Sequence, residues 1–359
     1  MPDAVPERLR RWLEWAVQVG ASDLHLTVGH PPVLRLNGEL SELPEPPLAP
    51  DDAEPLLTSV CPPAALAQLD TTRNAEFSFA APVEGRVARF RASLFYAGRH
   101  LGACLRVIPD AIPDYEWAGF PEHLAARITG LRDGLVVVTG ATGSGKTTTL
   151  AMIVQSLNAA GGCRIITVEE PVEYLFPRAV NSVVTQREVG LDVLTFADGL
   201  KFGLRQDPDV ILVGEIRDTE TAHMALSAAE TGHLVFTTLH TRDAKGAVTR
   251  FADLFPQESQ QAVRAQLAMS LRAVVSQRLL PGADGGGKRH LALEVLWNTH
   301  PIANAIRTGK VESIDNYLLT GRDEGMLSFD ESVRQLLKAG LVSRAVAEKN
   351  VSDVTVLYR

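Results

Sequence analysis

The sequence lacks the features that would place the protein in a membrane, in an oxidising compartment or on nucleic acid. Its 359 residues include three cysteines, Cys61, Cys104 and Cys163, which are too far apart to form a metal-spaced pair. No apolar run approaches the ~18 residues of a membrane helix, and the acidic start, with Asp3 and Glu7, is unlike a signal peptide. A net charge of -8 provides no global basic field for nucleic acid or anionic lipid. We therefore expect a cytoplasmic protein with reduced thiols and no transmembrane insertion.

The length predicts two domains, at ~150 residues for each. Apolar residues recur at helical spacing over 5–19, and a second helical segment is predicted over 51–69. Alternation with a period of two predicts strands at 22–28, 33–37, 76–79, 86–96 and 100–108, with Asn37-Gly38 as a hairpin turn. We therefore predict an α+β domain over 1–108, followed by a linker over 109–121, where three prolines interrupt the pattern.

Apolar strands alternate with helical segments after this linker. Strands are predicted at 135–139, 164–168, 210–213 and 234–239, and the alternation indicates a largely parallel sheet covered by helices. Residues 259–280 place apolar side chains along one face, which predicts a single helix that Pro281 ends. Another apolar stretch follows at 291–297. The sequence thus predicts an α/β core over 122–300 and a helical region over 301–359.

A glycine-rich phosphate-binding loop, GATGSGKT, occupies residues 140–147. An apolar strand precedes it and a helix-forming segment follows it, which is the context that such a loop requires. Its backbone N–H groups and the positive end of the following helix would hold a polyphosphate. Lys146 would contact the β and γ phosphates, and the Thr147 hydroxyl would bind Mg²⁺. The predicted phosphate-binding residues are Gly140, Ala141, Thr142, Gly143, Ser144, Gly145, Lys146, Thr147 and Thr148.

Carboxylates and a histidine follow the other predicted strands of the core. Ligands bind at the carboxyl ends of strands in sheets of this type, which selects Glu169, Glu170, Glu215 and His240. We expect Glu215 to polarise the attacking water and His240 to sense the γ phosphate. Glu169 or Glu170 would contact Mg²⁺ through water, since Gly214 stands where the metal-binding Asp of a Walker B segment is usual.

Two further sets of residues are weaker candidates. His233 precedes the strand that His240 follows, and for it a packed or solvated side chain is an equal alternative. The first predicted domain carries four arginines on or near its strands: Arg89, Arg91, Arg99 and Arg106. Such arginines usually form a solvated face, but phosphoryl transfer gains ~10³ to 10⁵ in rate from an arginine finger. An adjacent domain or subunit could supply that finger here.

Five ordered blocks of the sequence resemble the secretion-type ATPases of bacterial pili, and within them the type IV pilus retraction (twitching motility) ATPases. The blocks lie at residues 21–29, 140–149, 166–174, 204–218 and 228–241, and the similarity also includes 271–281. This resemblance implies a PAS-like N-terminal domain, a RecA-like P-loop ATPase core and a helical C-terminal region. It also implies a homohexameric ring that binds ATP and Mg²⁺ between the two domains.

The resemblance also implies roles for individual residues. In the family, arginines of the N-terminal domain reach the phosphates, and Arg91, Arg99 and Arg106 are the best positional matches. A histidine-containing segment of the family would span His233 and His240. Glu170 stands where the family usually has Asp, which could shift the water network around the metal.

The resemblance favours retraction over extension of the pilus. Extension and type II secretion ATPases usually carry an extra N-terminal domain and a four-cysteine zinc insert, for which we expect this chain to be too short and too poor in cysteine. We expect a motor at the pilus base, peripheral to the inner membrane, that moves its domains about 109–121 and acts on a membrane-embedded platform protein. The alternatives are an accessory retraction paralogue, another secretion ATPase, a nucleotide-gated scaffold and a nucleic-acid translocase. The net charge of -8 argues against the last of these.

Overall fold

The computed structural model describes residues 5–36, 38–83, 85–285 and 287–358, and the chain divides into two compact units. The first unit comprises Met1–Ala111 with Glu173–Leu175, and the second comprises Ile112–Val172 with Phe176–Arg359. The first division thus falls within the predicted linker, which also contains a one-turn helix, α4 (Tyr115–Ala118). Each unit has its own hydrophobic core.

The first unit is an α+β domain, as predicted. Its described elements are α1 (Glu7–Gln18), β1 (Asp23–Leu26), β2 (Val33–Leu36), β3 (Glu39–Glu42), α2 (Pro50–Thr58), α3 (Pro63–Thr72), β4 (Asn74–Val83), β5 (Arg86–Ala97) and β6 (His100–Ile108). The strands form an antiparallel sheet in the order β3-β2-β1-β6-β5-β4. The predicted hairpin residue Asn37 lies outside the described residues, while Leu36 and Glu39 on either side are paired.

The periodicity of the sequence explains how this unit packs. Helix α1 buries Leu9, Trp12, Leu13 and Ala16, which recur every three or four residues and so share one face. Strand β4 alternates buried and exposed side chains, because successive residues of a strand face opposite sides of the sheet. One face of the sheet therefore faces the helices, and the other carries polar and charged side chains.

The second unit is the α/β core with the helical C-terminal region. Its described helices after α4 are α5 (Glu122–Thr129), α6 (Lys146–Ala160), α7 (Phe196–Gly203), α8 (Thr219–Glu230), α9 (Ala244–Asp253), α10 (Gln260–Ser270), α11 (His300–Thr308), α12 (Ile314–Thr320), α13 (Phe329–Lys338) and α14 (Arg344–Asn350). Its described strands are β7 (Gly134–Gly140), β8 (Cys163–Glu169), β9 (Ser182–Glu188), β10 (Val210–Val213), β11 (Leu234–Leu239), β12 (Leu271–Pro281) and β13 (Arg289–Trp297). The helical C-terminal region predicted from the sequence is therefore present.

The sheet of the second unit has the order β13-β12-β7-β11-β10-β8-β9 and is parallel from β12 to β9. The four strands predicted from apolar runs are β7, β8, β10 and β11, and these are almost completely buried. Since parallel neighbours end at the same edge, the segments that follow these four strands are brought together. This edge carries the candidate site.

The single helix predicted over 259–280 is wrong. Helix α10 ends at Ser270, and the residues after it form β12, which lies between β7 and β13. The buried β-branched residues Val274 and Val275 fit this strand well, because pairing on both sides satisfies the backbone and buries both faces. A short apolar run fits helical and extended spacing equally, so the local pattern did not distinguish them. The edge strand β9, which is partly exposed and polar, was not predicted.

Two statements on the environment of the chain follow from the described residues. Across these residues, every helix is either too short or too polar to cross a lipid bilayer. Cys61, Cys104 and Cys163 are free thiols, each partly buried, as the sequence predicted. Burial raises the pKa of the Cys61 thiol to about 11, so this side chain stays protonated and unreactive at neutral pH.

Candidate functional site

The phosphate-binding loop connects β7 to α6, and its glycines have the conformations that it needs. Gly143 and Gly145 have φ angles of 77° and 90°, which favour glycine. Gly140 has a φ of 148°, and a Cβ there would lie 2.5 Å from the carbonyl oxygen of Gln277 on β12. The backbone therefore turns tightly onto the N-terminus of α6, where the positive end of the helix faces the loop.

Lys146 is the first residue of α6 and lies back on the loop that precedes it. Its Nζ donates hydrogen bonds to the carbonyl oxygens of Gly140, at 2.9 Å, and Ala141, at 3.2 Å. Ala141, Thr142 and Gly143 are exposed at the tip of the loop. The remaining loop and first-turn residues, Ser144, Thr147 and Thr148, are buried or half-buried. The tip of the loop is thus exposed to solvent, and the Lys146 ammonium is hydrogen-bonded to the backbone of the same loop.

Glu215, two residues after the end of β10, lies at the centre of a charged cluster. Its Oε1 is 3.2 Å from His240 Nε2, and its Oε2 is 2.8 Å from Arg217 Nη2. Burial alone would raise the pKa of Glu215, but the hydrogen bond and charge of Arg217, helped by His240, lower it below its ordinary value. Glu215 is therefore an ionised carboxylate at neutral pH.

His240 lies between the lysine of the phosphate loop and Glu215. Its Nδ1 is 3.5 Å from Lys146 Nζ, and its Nε2 faces Glu215. An ammonium group has only donors, so a hydrogen bond from Lys146 requires Nδ1 to accept, and the ring then carries its proton on Nε2, the nitrogen that faces Glu215. The structure thus brings Lys146, His240 and Glu215 together in one continuous row of contacts.

The two adjacent carboxylates at the end of β8 differ in their surroundings. Glu169 is buried, and its Oε1 accepts hydrogen bonds from Thr167 Oγ1, at 2.5 Å, and Gln186 Nε2, at 3.2 Å. Glu170 is exposed and lies 2.9 Å from Arg217 Nη1. Arg217 therefore joins Glu170 to Glu215, whereas Glu169 is held among buried polar side chains. Glu169 is the last residue of β8 and is buried with the strand, whereas Glu170 is the first residue beyond it and is exposed.

Gly214 occupies the position at which an aspartate was expected in the Walker B segment. Its N–H donates to Val168 O at 2.8 Å, and its carbonyl accepts from Thr238 Oγ1 at 2.6 Å. A Cβ at this position would lie 3.3 Å from Val168 O and 3.4 Å from the Cα of Glu169, which is tighter than ordinary contact. The close approach of β8 and β10 thus favours glycine here, and the next residue, Glu215, carries a carboxylate that shares Arg217 with Glu170.

The structure does not bring His233 to this edge. His233 precedes β11 and His240 follows it, so the two histidines lie at opposite ends of this strand. Its backbone N–H and its Nδ1 both lie near Ala228 O, at the end of α8, and Nδ1 is also 3.2 Å from Thr231 Oγ1. Within one chain, His233 therefore packs against the last turn of α8, just beyond the C-cap residue Thr231.

The predicted arginines lie in the first unit, and the sheet groups three of them. Arg91 and Arg106 are directly paired on β5 and β6, so their side chains share a face, and Arg89 lies two residues along on the same face. Arg91 is 2.8 Å from Glu76 and Arg106 is 2.9 Å from Asp23, so acids neutralise both. Arg89 Nη1 donates to Glu173 O, which belongs to the same unit.

Arg99 is separate from the other three arginines. It is exposed in the two-residue turn between β5 and β6, with a φ of 70° after Gly98 at 57°. Both angles are those of the turn that suits the twist of antiparallel strands. Arg99 lies eight residues along the chain from Arg91, so the first unit presents arginines at two distinct places.

Sequence reasoning missed several residues of the site. Arg217 lies in the same sequence block as Glu215, residues 204–218, but was not selected, although a basic residue beside a candidate base is a signal that could have been used. Gln277 was hidden by the incorrect helix over 259–280. Its buried Nε2 donates to Thr149 Oγ1 on α6 at 3.0 Å, directly beneath the loop. β12 therefore supports the phosphate loop from below.

Comparison with known proteins gives a consistent result. A family model described as "Type II/IV secretion system protein" matches residues 4–322. The chain is similar to the type IV pilus retraction ATPase PilT of Pseudomonas aeruginosa, with 40% identity over 94% of this chain and 96% of that protein. It is also similar to the type IV pilus ATPase PilU of the same organism, with 38% identity over 92% of this chain and 85% of that one.

A solved structure agrees over almost the entire chain. The crystal structure of the pilus retraction motor PilT with bound ADP superimposes with a TM-score of 0.86 at 40% identity, covering 98% of this chain and 99% of that one. Its fold is the one described above, with an N-terminal α+β domain and a RecA-like P-loop ATPase core. The fold class predicted from the sequence is therefore confirmed.

Proposed function

Since the chain belongs to the type II/IV secretion system protein family, we propose that it is an ATP-hydrolysing motor that powers retraction of type IV pili. The observation that carries this proposal is the convergence of Lys146, His240 and Glu215 at one edge of the core sheet. Similarity over nearly the full length of a retraction ATPase supports the biological role. The substrate is ATP and the reaction is its hydrolysis to ADP and phosphate.

The phosphate loop binds the nucleotide. The backbone N–H groups of Gly143, Ser144 and Gly145 and the N-terminus of α6 would contact the phosphate oxygens. Lys146 would exchange its hydrogen bonds with the carbonyls of Gly140 and Ala141 for contacts with the phosphates, since an ammonium prefers an anion to a carbonyl. The PilT structure with ADP supports nucleotide binding by this fold.

The donors around the loop fit Mg²⁺, which prefers oxygen ligands and keeps several of its waters. Thr147 offers a half-buried hydroxyl on the first turn of α6, and Glu170 and Glu215 offer carboxylates at neighbouring strand ends. Bound Mg²⁺ would neutralise charge on the phosphate oxygens. Glu170, which shares Arg217 with Glu215, is better placed than the hydrogen-bonded Glu169 to contact its water shell.

Glu215 is the proposed residue that polarises the attacking water. It is ionised at neutral pH, because Arg217 and His240 offset the effect of its burial, and an acceptor of water protons must be ionised. His240, with its Nδ1 on the side of Lys146, would detect whether the terminal phosphate is present. Arg217 would orient Glu215 and hold Glu170 at the same time.

The remaining parts of the motor are proposed from the family resemblance. Arg91, Arg99 or Arg106 would supply positive charge to the phosphates, and the ring would be a homohexamer. Turnover would move the N-terminal domain about residues 109–121 and act on a platform protein at the cytoplasmic face of the inner membrane. For Arg91 and Arg106 this requires exchange of their present acidic partners.

A second candidate is the accessory role suggested by similarity to PilU. The identities are close, 40% and 38%, but the chain covers 96% of PilT and 85% of PilU. The extent of the match thus favours the retraction motor itself. A cell that lacks this protein and keeps its paralogues would distinguish the two, because loss of an accessory protein leaves the main motor in place and loss of the main motor abolishes retraction.

The site is tested by phosphate release from the purified protein with Lys146→Ala and Glu215→Gln. Lys146→Ala is expected to lose both nucleotide binding and turnover, whereas Glu215→Gln is expected to bind MgATP and to lower kcat by about 10²-fold or more. Arg344→Gln, on the remote helix α14, is the control. Turnover at the native rate in both site variants would refute the assignment.

The biological role is tested separately, in cells whose pili are labelled and imaged. Cells with Lys146→Ala in place of the native protein are expected to extend pili and to fail to retract them. Normal retraction in these cells, together with loss of ATPase activity in the purified variant, would reject the retraction role and leave the enzyme assignment intact.

A further inference from the structure

The segment that carries His240 is anchored at both of its ends. It comprises residues 240–243, between β11 and α9. At its start, Thr139 Oγ1 accepts a hydrogen bond from the Thr241 N–H at 2.9 Å and lies 2.8 Å from Thr241 Oγ1. Thr139 is the residue before Gly140, so this anchor attaches the histidine segment to the phosphate loop.

The second anchor is Glu294 on β13. Its Oε1 accepts a hydrogen bond from the Ala244 N–H at 2.7 Å, at the first residue of α9, and its side chain is 8% exposed. Asp243 caps the same helix by accepting from Gly246 N–H at 2.6 Å. The end of the histidine segment is therefore held by a buried carboxylate from β13, the outermost strand on one side of the sheet.

The two anchors belong to one row across the sheet. Thr139 on β7 is paired with Ser276 on β12, and Ser276 is paired with Glu294 on β13. Paired residues place their side chains on the same face, so the row lies beneath residues 241–244. Thr139 and Ser276 are completely buried. A rigid sheet thus fixes the distance between the anchors, and with it the course of the four residues between them.

We propose that Glu294 is a positioning residue for ATP hydrolysis, which holds His240 against Glu215 by anchoring the Ala244 N–H. This inference rests on the proposed function of the site. Without the anchor, the N-terminus of α9 can shift while Thr241 stays attached to β7, so the imidazole moves relative to Glu215. The contact at risk is the 3.2 Å approach of His240 Nε2 to Glu215 Oε1. Binding to the phosphate loop would persist, because its own contacts are unaffected.

The test uses the full-length protein and separates positioning from folding. Glu294→Gln keeps an oxygen that can accept from Ala244, whereas Glu294→Met has similar volume and no acceptor. The double variant Ala244→Pro with Glu294→Met removes donor and acceptor together, so that no buried polar group is left unpaired. Proline suits this first helical position, since Asp243 before it has extended backbone, with φ of -151° and ψ of 171°.

The matched control is Glu331→Met on α13. Glu331 is a comparably buried carboxylate, 7% exposed, that contacts Arg322 and Arg334 in the C-terminal region. The readouts are kcat, the KM for ATP and the rise in melting temperature produced by MgADP. Wild-type turnover is the first arm, and its absence would reject the proposed ATPase activity before the question about Glu294 arises.

We expect Glu294→Gln to keep kcat within about twofold of wild type, and Glu294→Met and the double variant to lower it by about tenfold or more with an unchanged KM. The decrease in kcat in the double variant is expected to be no larger than in Glu294→Met, because both variants lack the same hydrogen bond. The rise in melting temperature produced by MgADP is expected to be equal in wild type and in all the Glu294 variants. Native kcat in the folded double variant, or an equal loss in Glu331→Met, would overturn the proposal.

Discussion

Arg217 and Glu215 form an ion pair at 2.8 Å in which the same guanidinium also holds Glu170 at 2.9 Å. The proposed catalytic carboxylate is therefore paired with a cation that is itself largely exposed, with 59% of the side chain accessible. Such a pair can open when a nucleotide and its metal arrive, because solvent screens it. Arg217 thus connects the two strand ends that supply the carboxylates of the site.

Arg217→Gln is expected to change the pH dependence of turnover. Glu215 has a lowered pKa, so its ionised form persists as the pH falls, and activity is lost only below the ordinary value of 4.5. Without Arg217, burial dominates and raises that pKa, so the acidic limb of kcat should move to higher pH. Profiles of kcat at saturating MgATP measure this, with Arg344→Gln as control. An unmoved limb would contradict the role of Arg217.

The two histidines at either end of β11 provide a matched pair. His240→Ala is expected to lower kcat by about tenfold or more, because it removes the contact with Glu215. His233→Ala is expected to change kcat by less than about twofold, since His233 contacts the last turn of α8, at the end of β11 away from Glu215. Steady-state phosphate release measures both. An equal loss in a folded His233→Ala variant would contradict the placement of His233 outside the site.

Gly140→Ala is expected to disrupt the phosphate loop. A Cβ would lie 2.5 Å from Gln277 O and 2.6 Å from Ser144 Oγ, at a φ of 148°. The control is Gly162→Ala, at a φ of 75° with open space around the added atom, which carries only the cost in backbone conformation, about 1–2 kcal/mol. Melting temperatures and MgADP titrations should show a larger loss for Gly140→Ala, in both stability and affinity. Equal effects would mean that the contact with β12 is unimportant.

Glu294 is expected to make the folded protein less stable as the pH rises. Burial raises its pKa from 4.5 to about 7, against the hydrogen bond from Ala244; Asp243 and Asp315 raise it further and Arg278 lowers it. The pKa of Glu294 is higher in the folded state than in the unfolded state. Its contribution to stability is therefore fully present below pH 4.5 and is lost as the pH rises to about 7. The difference corresponds to about 3 kcal/mol.

Glu294→Gln removes this titration and keeps the hydrogen bond. Urea unfolding of wild type and variant at a series of pH values from 5 to 8 should therefore show a free-energy difference that increasingly favours the variant up to neutrality and is constant above it. A constant difference across the series would show that Glu294 ionises at its ordinary pKa.

Local patterns predicted the elements whose signals lie in adjacent residues. The apolar runs of β7, β8, β10 and β11 were visible because strands buried on both faces are continuously hydrophobic. β12 was not predicted, because its extended conformation depends on pairing with β7 and β13. β7 lies more than one hundred residues before β12 in the sequence, and β13 follows it after several residues. β9 was missed because an edge strand does not need a hydrophobic pattern.

The sequence by itself determined the phosphate loop, since residues 140–147 contain the glycines, the lysine and the start of the helix in one continuous segment. It also determined which strand ends carry acids. Only the tertiary structure decided that Glu215 meets Arg217 and His240, that His233 faces the other edge, and that Glu294 lies under the histidine segment. The reason is physical: these contacts depend on strand order and register, which are set by long-range pairing in the sheet rather than by neighbouring residues.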